Sequence, residues 1–281
     1  MVILDRLRLL IETYYDYQKG RIAYYNRLNR LPEEVRKQIE NETLFKEIAM
    51  SIENLEKSIV KAIEAEVKKE EIYTKFIKRI KGLGPVLGGS LIAWLCKERD
   101  FTIANSHPAM ESIKQKPYAK IEKINEKVSR VIMPPVLDIA EYPSDVYKYC
   151  GVIPGAKRER GKQIDYNPKL KSQFWKIVQQ FLKNGKSYYC VIYDSEKAKY
   201  LEKYGIKGLA DATARKKIAR HLLASLYMMY KYLKGQPYYL PYPVEVLGHA
   251  VEPPFVDGED GKPEYLNFLV DKAIKRKKTK K

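Results

Sequence analysis

Apolar residues recur every three or four positions in several stretches of the chain. They do so in roughly the first thirty residues and again over 33–80, where lysine and glutamate fill the other faces. This periodicity is typical of amphipathic helices. The proline at position 32 separates the two stretches, because proline fits the first turn of a new helix but not a helix interior. The pattern predicts an N-terminal helical hairpin or coiled-coil arm over residues 1–76.

The middle of the chain predicts a compact helical domain over residues 77–236. Residues 100–143 contain five prolines, which favour connecting segments over long helices. The last stretch, 237–281, is a Pro/Tyr-rich extension that ends in a basic tail. Helices are expected over 86–97, 169–183 and about 211–233. The predicted fold class is therefore all-α in the main.

Charge and composition narrow the functional classes. The 281 residues include 53 Lys+Arg and 35 Asp+Glu, a formal net charge of +18. Hydrophobic residues make up 45% of the chain, which is enough to build a folded core. Such a cationic surplus favours polyanionic partners, nucleic acid before anionic membrane. The richness in lysine, isoleucine, glutamate and tyrosine also fits a thermophilic source.

Several classes of protein and site are not expected. The three cysteines lie far apart, which argues against a secreted disulfide scaffold. No run approaches the ~20 apolar residues of a membrane-spanning helix, and the first residues carry charges where a signal peptide needs apolar side chains. We therefore expect a protein of the host cytoplasm, or of a virion if it is viral, with no membrane partner. The three histidines are widely separated and no nucleotide-binding loop is present, so we expect no metal and no cofactor.

The sharpest local pattern is a glycine turn between two apolar helices. It reads Lys81-Gly82-Leu83-Gly84-Pro85 and is similar to a helix-hairpin-helix motif. Glycines let the backbone approach a phosphate closely, and the amides at the start of the next helix point toward an anion. We predict that Lys81, Gly82 and Gly84 contact a phosphate backbone. An ordinary corner between two helices is the alternative interpretation.

Two further segments concentrate positive charge. They are a loop that carries Lys157, Arg158, Arg160 and Lys162, and a late helix that carries Arg215 and Lys216. Both patterns suit contacts to phosphates, and a solvated basic surface is the alternative for each. The lysine-rich end of the chain is interpreted as a non-specific electrostatic arm.

In this order, the motifs resemble the C-terminal half of the IS one-ten / one-sixteen insertion-sequence transposases. The glycine turn is similar to the hairpin of that family, and Tyr149-Cys-Gly151-Val-Ile-Pro154 is similar to its Tyr-x-Gly-apolar-x-Pro segment. Gly161-Lys-Gln-Ile164-Asp-Tyr-Asn167 matches a turn before a basic helix, and 218–232 matches a late helix. The resemblance covers about 77–237. It implies the half of a transposase that holds DNA.

Two departures from the family decide what the resemblance implies. Those transposases begin with a RuvC-like domain bearing four carboxylates, for which we find no room before residue 33. They also carry a serine, the candidate nucleophile, shortly after the proline. The matching stretch here, Lys157-Arg158-Glu159-Arg160-Gly161, has no hydroxyl. The family's strand cleavage needs both parts. The resemblance therefore implies a non-catalytic protein that grips DNA, or RNA, by its phosphate backbone.

Two other functions stay open. A structural or assembly protein of a virus or mobile element would use the helical arm to form oligomers and the positive charge for solubility. A homo-oligomer through the N-terminal helices is compatible with nucleic-acid binding as well. A nuclease would need carboxylates such as Glu159, Asp165 and Asp211 to converge on a metal ion.

Overall fold

A computed structural model describes residues 5–153, 156, 164–250 and 252–276. Helices account for 63% of it and strands for 9%, which confirms the mainly helical class. The helices are α1 (Arg6–Leu28), α2 (Glu33–Asn41), α3 (Thr43–Val67), α4 (Glu71–Lys75), α5 (Pro85–Leu91), α6 (Ala109–Lys114), α7 (Val136–Ile139), α8 (Pro143–Tyr149), α9 (Pro168–Asn184), α10 (Tyr188–Tyr204), α11 (Lys207–Leu233), α12 (Tyr242–Glu245) and α13 (Asn267–Asp271). The strands are β1 (Arg99–Ala104), β2 (Lys120–Lys123), β3 (Val128–Met133), β4 (Phe255–Asp257) and β5 (Pro263–Tyr265).

The helices α1 and α3 lie antiparallel along each other. Arg6 near the start of α1 pairs with Glu66 near the end of α3, at 3.3 Å. Further along α1, Arg21 pairs with Glu56 at 2.7 Å. Residue numbers that rise along α1 thus meet numbers that fall along α3, which is the geometry of a helical hairpin.

The periodicity over 33–80 predicts one long helix, and this prediction is wrong: the range holds α2, α3, α4 and a 3-10 turn. Glu42 has an extended backbone between α2 and α3, and Glu70 has one between α3 and α4. The second break turns the chain so that Tyr73, Phe76 and Ile77 enter the core. Burying a large apolar side chain is worth about 1.5–3 kcal/mol, which outweighs the small cost of ending a helix. Tertiary packing therefore overrides the local periodicity.

One hydrophobic core joins most of the helices. The predicted helix at 211–233 is confirmed within α11, whose apolar residues pack at its centre. Ile11 of α1, Ile63 of α3 and Phe255 of β4 belong to the same core. The core thus includes residues from all three predicted segments, 1–76, 77–236 and 237–281. No helix in the described ranges combines the length and apolar character needed to cross a bilayer.

Close packing around the helix that follows the glycine turn depends on a second pair of glycines. A Cβ on Gly88 would lie 2.7 Å from Cγ2 of Ile77 and 3.0 Å from Cε2 of Tyr73. A Cβ on Gly89 would lie 3.1 Å from Cγ1 of Val67. A side chain at Gly88 would collide with α4 and the 3-10 turn, and one at Gly89 would crowd α3, so these glycines allow the close approach of α5 that positions the turn.

Residues 99–133 form a small lobe with strands, where the sequence predicted connecting segments. The antiparallel sheet has the order β1-β3-β2, and α6 packs against it. Met110 and Ile113 of α6 and Val131 and Met133 of β3 form a separate cluster. Four of the five prolines lie between short elements rather than within long connectors: one precedes α6, one follows it and two follow β3, and the fifth begins α8.

Candidate nucleic-acid interface

The glycine turn leads from α4 and a 3-10 turn (Ile77–Arg79) into α5. Gly82 has φ +100°, a conformation that other residues rarely adopt, and its Cα faces the ring of Phe181 in α9. Gly84 has φ −67° and caps α5, with Pro85 as the first helical residue. A Cβ on Gly84 would meet no atom within 4 Å. Gly82 therefore shapes the turn, whereas Gly84 leaves room beside it.

Lys81 already uses donors within the chain. Its backbone N–H donates to Oδ2 of Asp257 at 2.8 Å, and its Nζ donates to the carbonyl of Gly258 at 2.7 Å. Asp257 also accepts from the hydroxyl of Ser187 at 2.8 Å and from the N–H of Tyr188 at 2.7 Å. We call Asp257 and these three partners the Asp257 clasp. Lys81, which was predicted to contact a phosphate, thus has its backbone N–H bound by an internal carboxylate and its Nζ by a carbonyl.

The segment that carries Asp257 is itself fixed to the helical core. Phe255 is fully buried, with its ring centroid 4.6 Å from that of Tyr189. The Nε2 of His221 donates to the carbonyl of Glu252 at 2.8 Å, and its Nδ1 lies 3.4 Å from the hydroxyl of Tyr189. Desolvation lowers the pKa of His221 below its ordinary value, although the Glu252 carbonyl acts in the opposite direction. Burial therefore favours the neutral form of the ring.

A groove between α9 and α11 contains the two predicted basic residues of the late helix. Gly151 and Val152, which precede the basic loop, line it together with Arg215 and Lys216 of the late helix. Its volume is about 270 Å³. The other lining residues come from α9 and α11 and include Lys171 and Trp175. We call this cavity the α9–α11 groove.

Arg215 is held in place by several contacts. Its Nε donates to Asp211 at 2.9 Å, and its Nη1 donates to Oε1 of Gln179 at 3.0 Å. Its guanidinium carbon lies 4.9 Å from the ring centroid of Trp175. Although desolvation opposes ionisation, hydrogen bonds from Tyr193 and Arg215 leave the pKa of Asp211 below its usual value. Arg215 is thus pre-positioned, with part of its charge balanced by an ionised carboxylate.

The lysines of the groove differ in their surroundings. Lys216 is exposed on α11. The Nζ of Lys171 donates to the carbonyl of Ala156 at 3.0 Å and to the hydroxyl of Tyr166 at 3.2 Å. Ala156 precedes Lys157 in the chain, so the described chain approaches the basic loop beside the groove. The predicted residues Lys157, Arg158, Arg160 and Lys162 themselves lie outside the described residues.

Sequence reasoning missed Lys171 and Trp175 as site residues. Both lie in the predicted helix over 169–183, which α9 confirms. Their spacing of four residues places them on one face of that helix, directly after the basic loop. A cation and an indole so spaced are the signal that could have identified them.

Two of the carboxylates considered for a nuclease, Asp165 and Asp211, lie within the described residues. Asp211 is engaged by Arg215 and Tyr193, and Glu159 lies outside the described residues. Within the part of the chain that the structure describes, no group of three or more His, Cys, Asp or Glu could hold a metal ion.

Comparisons with protein-family models, with characterised proteins and with solved structures found no match to this chain. The resemblance to insertion-sequence transposases therefore stays a prediction from the motifs, and the contacts of the glycine turn and of the basic segments with phosphate stay predictions as well.

Proposed function

We propose that the protein binds nucleic acid through the phosphate backbone, with the α9–α11 groove at the centre of the contact surface. The observation that supports this most directly is the convergence of Lys171, Arg215 and Lys216 on one groove. The chain enters the basic loop over 157–162 beside that groove. Lysine and arginine that neutralise phosphates release condensed counterions, which supplies affinity without reading sequence.

The proposal also specifies the kind of nucleic acid, the absence of cleavage and the source. DNA is the favoured ligand and RNA the alternative, and binding proceeds without strand cleavage. A relation to the DNA-holding half of an insertion-sequence transposase is part of this proposal, and it rests on the order of the motifs. A virus or mobile element of a thermophile remains the proposed source.

Salt dependence tests the proposal. Fluorescence anisotropy with labelled duplex DNA, single-stranded DNA and RNA would measure the dissociation constant between about 50 and 200 mM salt. The logarithm of the association constant should fall linearly with the logarithm of salt, by about 0.7–0.9 per phosphate contacted. Absence of binding to every one of these ligands at low salt would contradict the proposal.

The variant Gly84→Glu tests whether the glycine turn belongs to the contact surface. A side chain fits there without backbone strain or collision, so the fold should persist. If phosphate contacts the amides at the start of α5, a carboxylate beside them would repel it and weaken binding about tenfold or more. The matched control is Gly84→Gln, which adds similar bulk without charge. If a folded Gly84→Glu protein binds like the wild type, the turn lies outside the interface.

A second candidate is an assembly protein, and one surface favours it. Leu44, Ile48 and Leu55 follow one side of α3 at helical spacing, and Leu44 and Leu55 are exposed. A stripe of this kind fits pairing with a second copy through the N-terminal helices. Light scattering beside the binding assay separates the two functions, since a discrete oligomer that binds no nucleic acid would favour assembly.

A further inference from the structure

We infer that the α9–α11 groove accepts single-stranded nucleic acid, with an unpaired base stacked on Trp175. This inference rests on the proposed function, because the cations of the groove must first hold the phosphates. It adds the class of ligand, which is a single strand with unpaired bases that can turn outward, rather than a closed duplex.

The exposure of Trp175 is the first observation. The side chain is 52% exposed, although its neighbours on α9, Phe174 and Ile177, are buried. Placing a large aromatic ring in solvent forgoes the stabilisation that burial would supply. An exposed indole among cations is the arrangement with which proteins stack the bases of single strands.

The fixed position of the indole is the second observation. The guanidinium of Arg215 lies over the ring at 4.9 Å and is itself held by Asp211 and Gln179. A cation over the ring face is a favourable contact that restricts the motion of both side chains. Because the stacking surface is already ordered, a base that binds to it loses less free energy in ordering the site.

The charge around the indole is the third observation. Lys216 on α11 lines the same groove as Trp175 and is exposed, so a phosphate beside a stacked base would meet its ammonium group. Lys171 on α9 adds a second positive charge to the groove, with its Nζ donating to the carbonyl of Ala156 and the hydroxyl of Tyr166. This combination of a stacking ring with a cationic path suits an anionic strand. An acidic segment of a protein would satisfy the cations but would leave the indole without a planar partner.

The state of the bases decides between single strand and duplex. In a duplex every base is paired and stacked inside the helix, and taking one out costs free energy. In a single strand the bases are unpaired, so stacking on Trp175 has no such cost. The groove therefore favours single strands over duplexes of the same sequence.

Intrinsic fluorescence tests the inference directly, because the chain has only two tryptophans. The variant Trp94→Phe leaves Trp175 as the sole indole. Titration with an oligothymidylate of about 16 nucleotides should quench its emission, and the same strand should bind more tightly than its duplex with oligoadenylate at equal salt. Unchanged emission at saturation would overturn the inference.

Substitution at the ring gives the second measurement. Trp175→Ala should weaken binding of the oligothymidylate by about tenfold or more and leave the salt slope unchanged, whereas Trp175→Phe should retain most of the affinity. The control is Val191→Ala on α10, which also removes an exposed apolar side chain and should change nothing. If Trp175→Ala binds like the wild type while binding stays salt-dependent, the inference fails and the proposed function stands. If the wild type binds neither strand nor duplex, the proposed function fails as well.

Discussion

The glycine turn at 81–84 and the α9–α11 groove contain similar chemical groups, but they differ in whether other parts of the chain already bind those groups. Both place cations beside groups that can contact a nucleotide, backbone amides in one case and an indole in the other. At the turn, Asp257 and Gly258 accept from the amide and ammonium of Lys81. In the groove, Lys216 and half of Trp175 face solvent. The donors of Lys81 are thus hydrogen-bonded within the chain, whereas one lysine and part of an indole in the groove remain exposed to a ligand.

In the Asp257 clasp, a carboxylate accepts hydrogen bonds from several donors, as a bound phosphate would. The carboxylate of Asp257 is 8% exposed and accepts from Lys81, Ser187 and Tyr188. Hydrogen bonds to a charged acceptor contribute about 1.5–3 kcal/mol each, which offsets the cost of removing the carboxylate from water. Its place at the start of α10 is also favourable, because the N-terminus of a helix attracts negative charge. The clasp thus stabilises the fold and includes Lys81, one of the residues predicted to contact a phosphate.

Removing the Asp257 carboxylate should have the largest effect on stability. Asp257→Ala would leave buried donors of Lys81, Ser187 and Tyr188 without their acceptor. We expect the free energy of unfolding to fall by about 3 kcal/mol, measured by chemical denaturation. Binding of nucleic acid at a temperature where the variant is folded should not change, because the groove lies elsewhere.

The control for this substitution is Glu259→Ala, which removes the same charge from an exposed position two residues further on. It should leave both stability and binding unchanged. If Asp257→Ala instead binds nucleic acid more tightly than Glu259→Ala, the freed N–H of Lys81 donates to a phosphate. The turn would then be a second binding site that Asp257 normally occupies.

The helices that the sequence predicts well are those with an apolar stripe. The stripe of α11 is an example, and its burial confirms the prediction. Helix α10 was missed because its buried positions are Tyr189, Tyr193 and Glu196, which have helical spacing but polar groups. Glu196 is buried only because Lys199 and Lys217 pair with it. That pairing involves a neighbouring helix and is invisible in the sequence of α10 alone.

The candidate site could be predicted only in part, because some of its contacts are local in the sequence and others are long-range. Local charge identified Arg215 and Lys216, and the structure places both at one groove. The partners of Lys81 could not be predicted, because Asp257 lies 176 residues away in the chain. The same holds for Trp175, whose exposure depends on how α9 packs against its neighbours. Residue type and spacing identify candidate ligands, and long-range packing decides which of them remain accessible.

Acidification should loosen the segment of the Asp257 clasp without affecting the groove. The pKa of His221 is lowered by desolvation in the folded state, so below about 6.5 the unfolded chain binds a proton that the folded chain resists. The contribution of His221 to the free energy of unfolding has its full value above that pH. It decreases as the pH falls, by at most about 1.4 kcal/mol per pH unit. Thermal unfolding at pH 7.5 and 5.5 would measure the loss.

His221→Gln provides the control for the pH effect, because its side chain cannot take up a proton in this range. The variant should be less stable than the wild type at pH 7.5, and the difference should shrink at pH 5.5. A wild-type protein and a variant that lose equal stability between these pH values would show that His221 is not responsible. Hydrogen exchange at 252–257 should then not accelerate on acidification either.

The smallest expected effect compares one lysine from each region. Lys216→Gln and Lys81→Gln remove the same charge, so they alter the long-range attraction of nucleic acid to a similar degree. Lys216 is exposed in the groove, and losing one phosphate contact there should weaken binding a few-fold and reduce the salt slope by about one. The Nζ of Lys81 already donates to Gly258, so Lys81→Gln should leave the salt slope at the wild-type value. Anisotropy titrations at several salt concentrations measure both slopes. Equal reductions in the two variants would mean that the turn and the groove contact the nucleic acid together, and that the clasp opens when it binds.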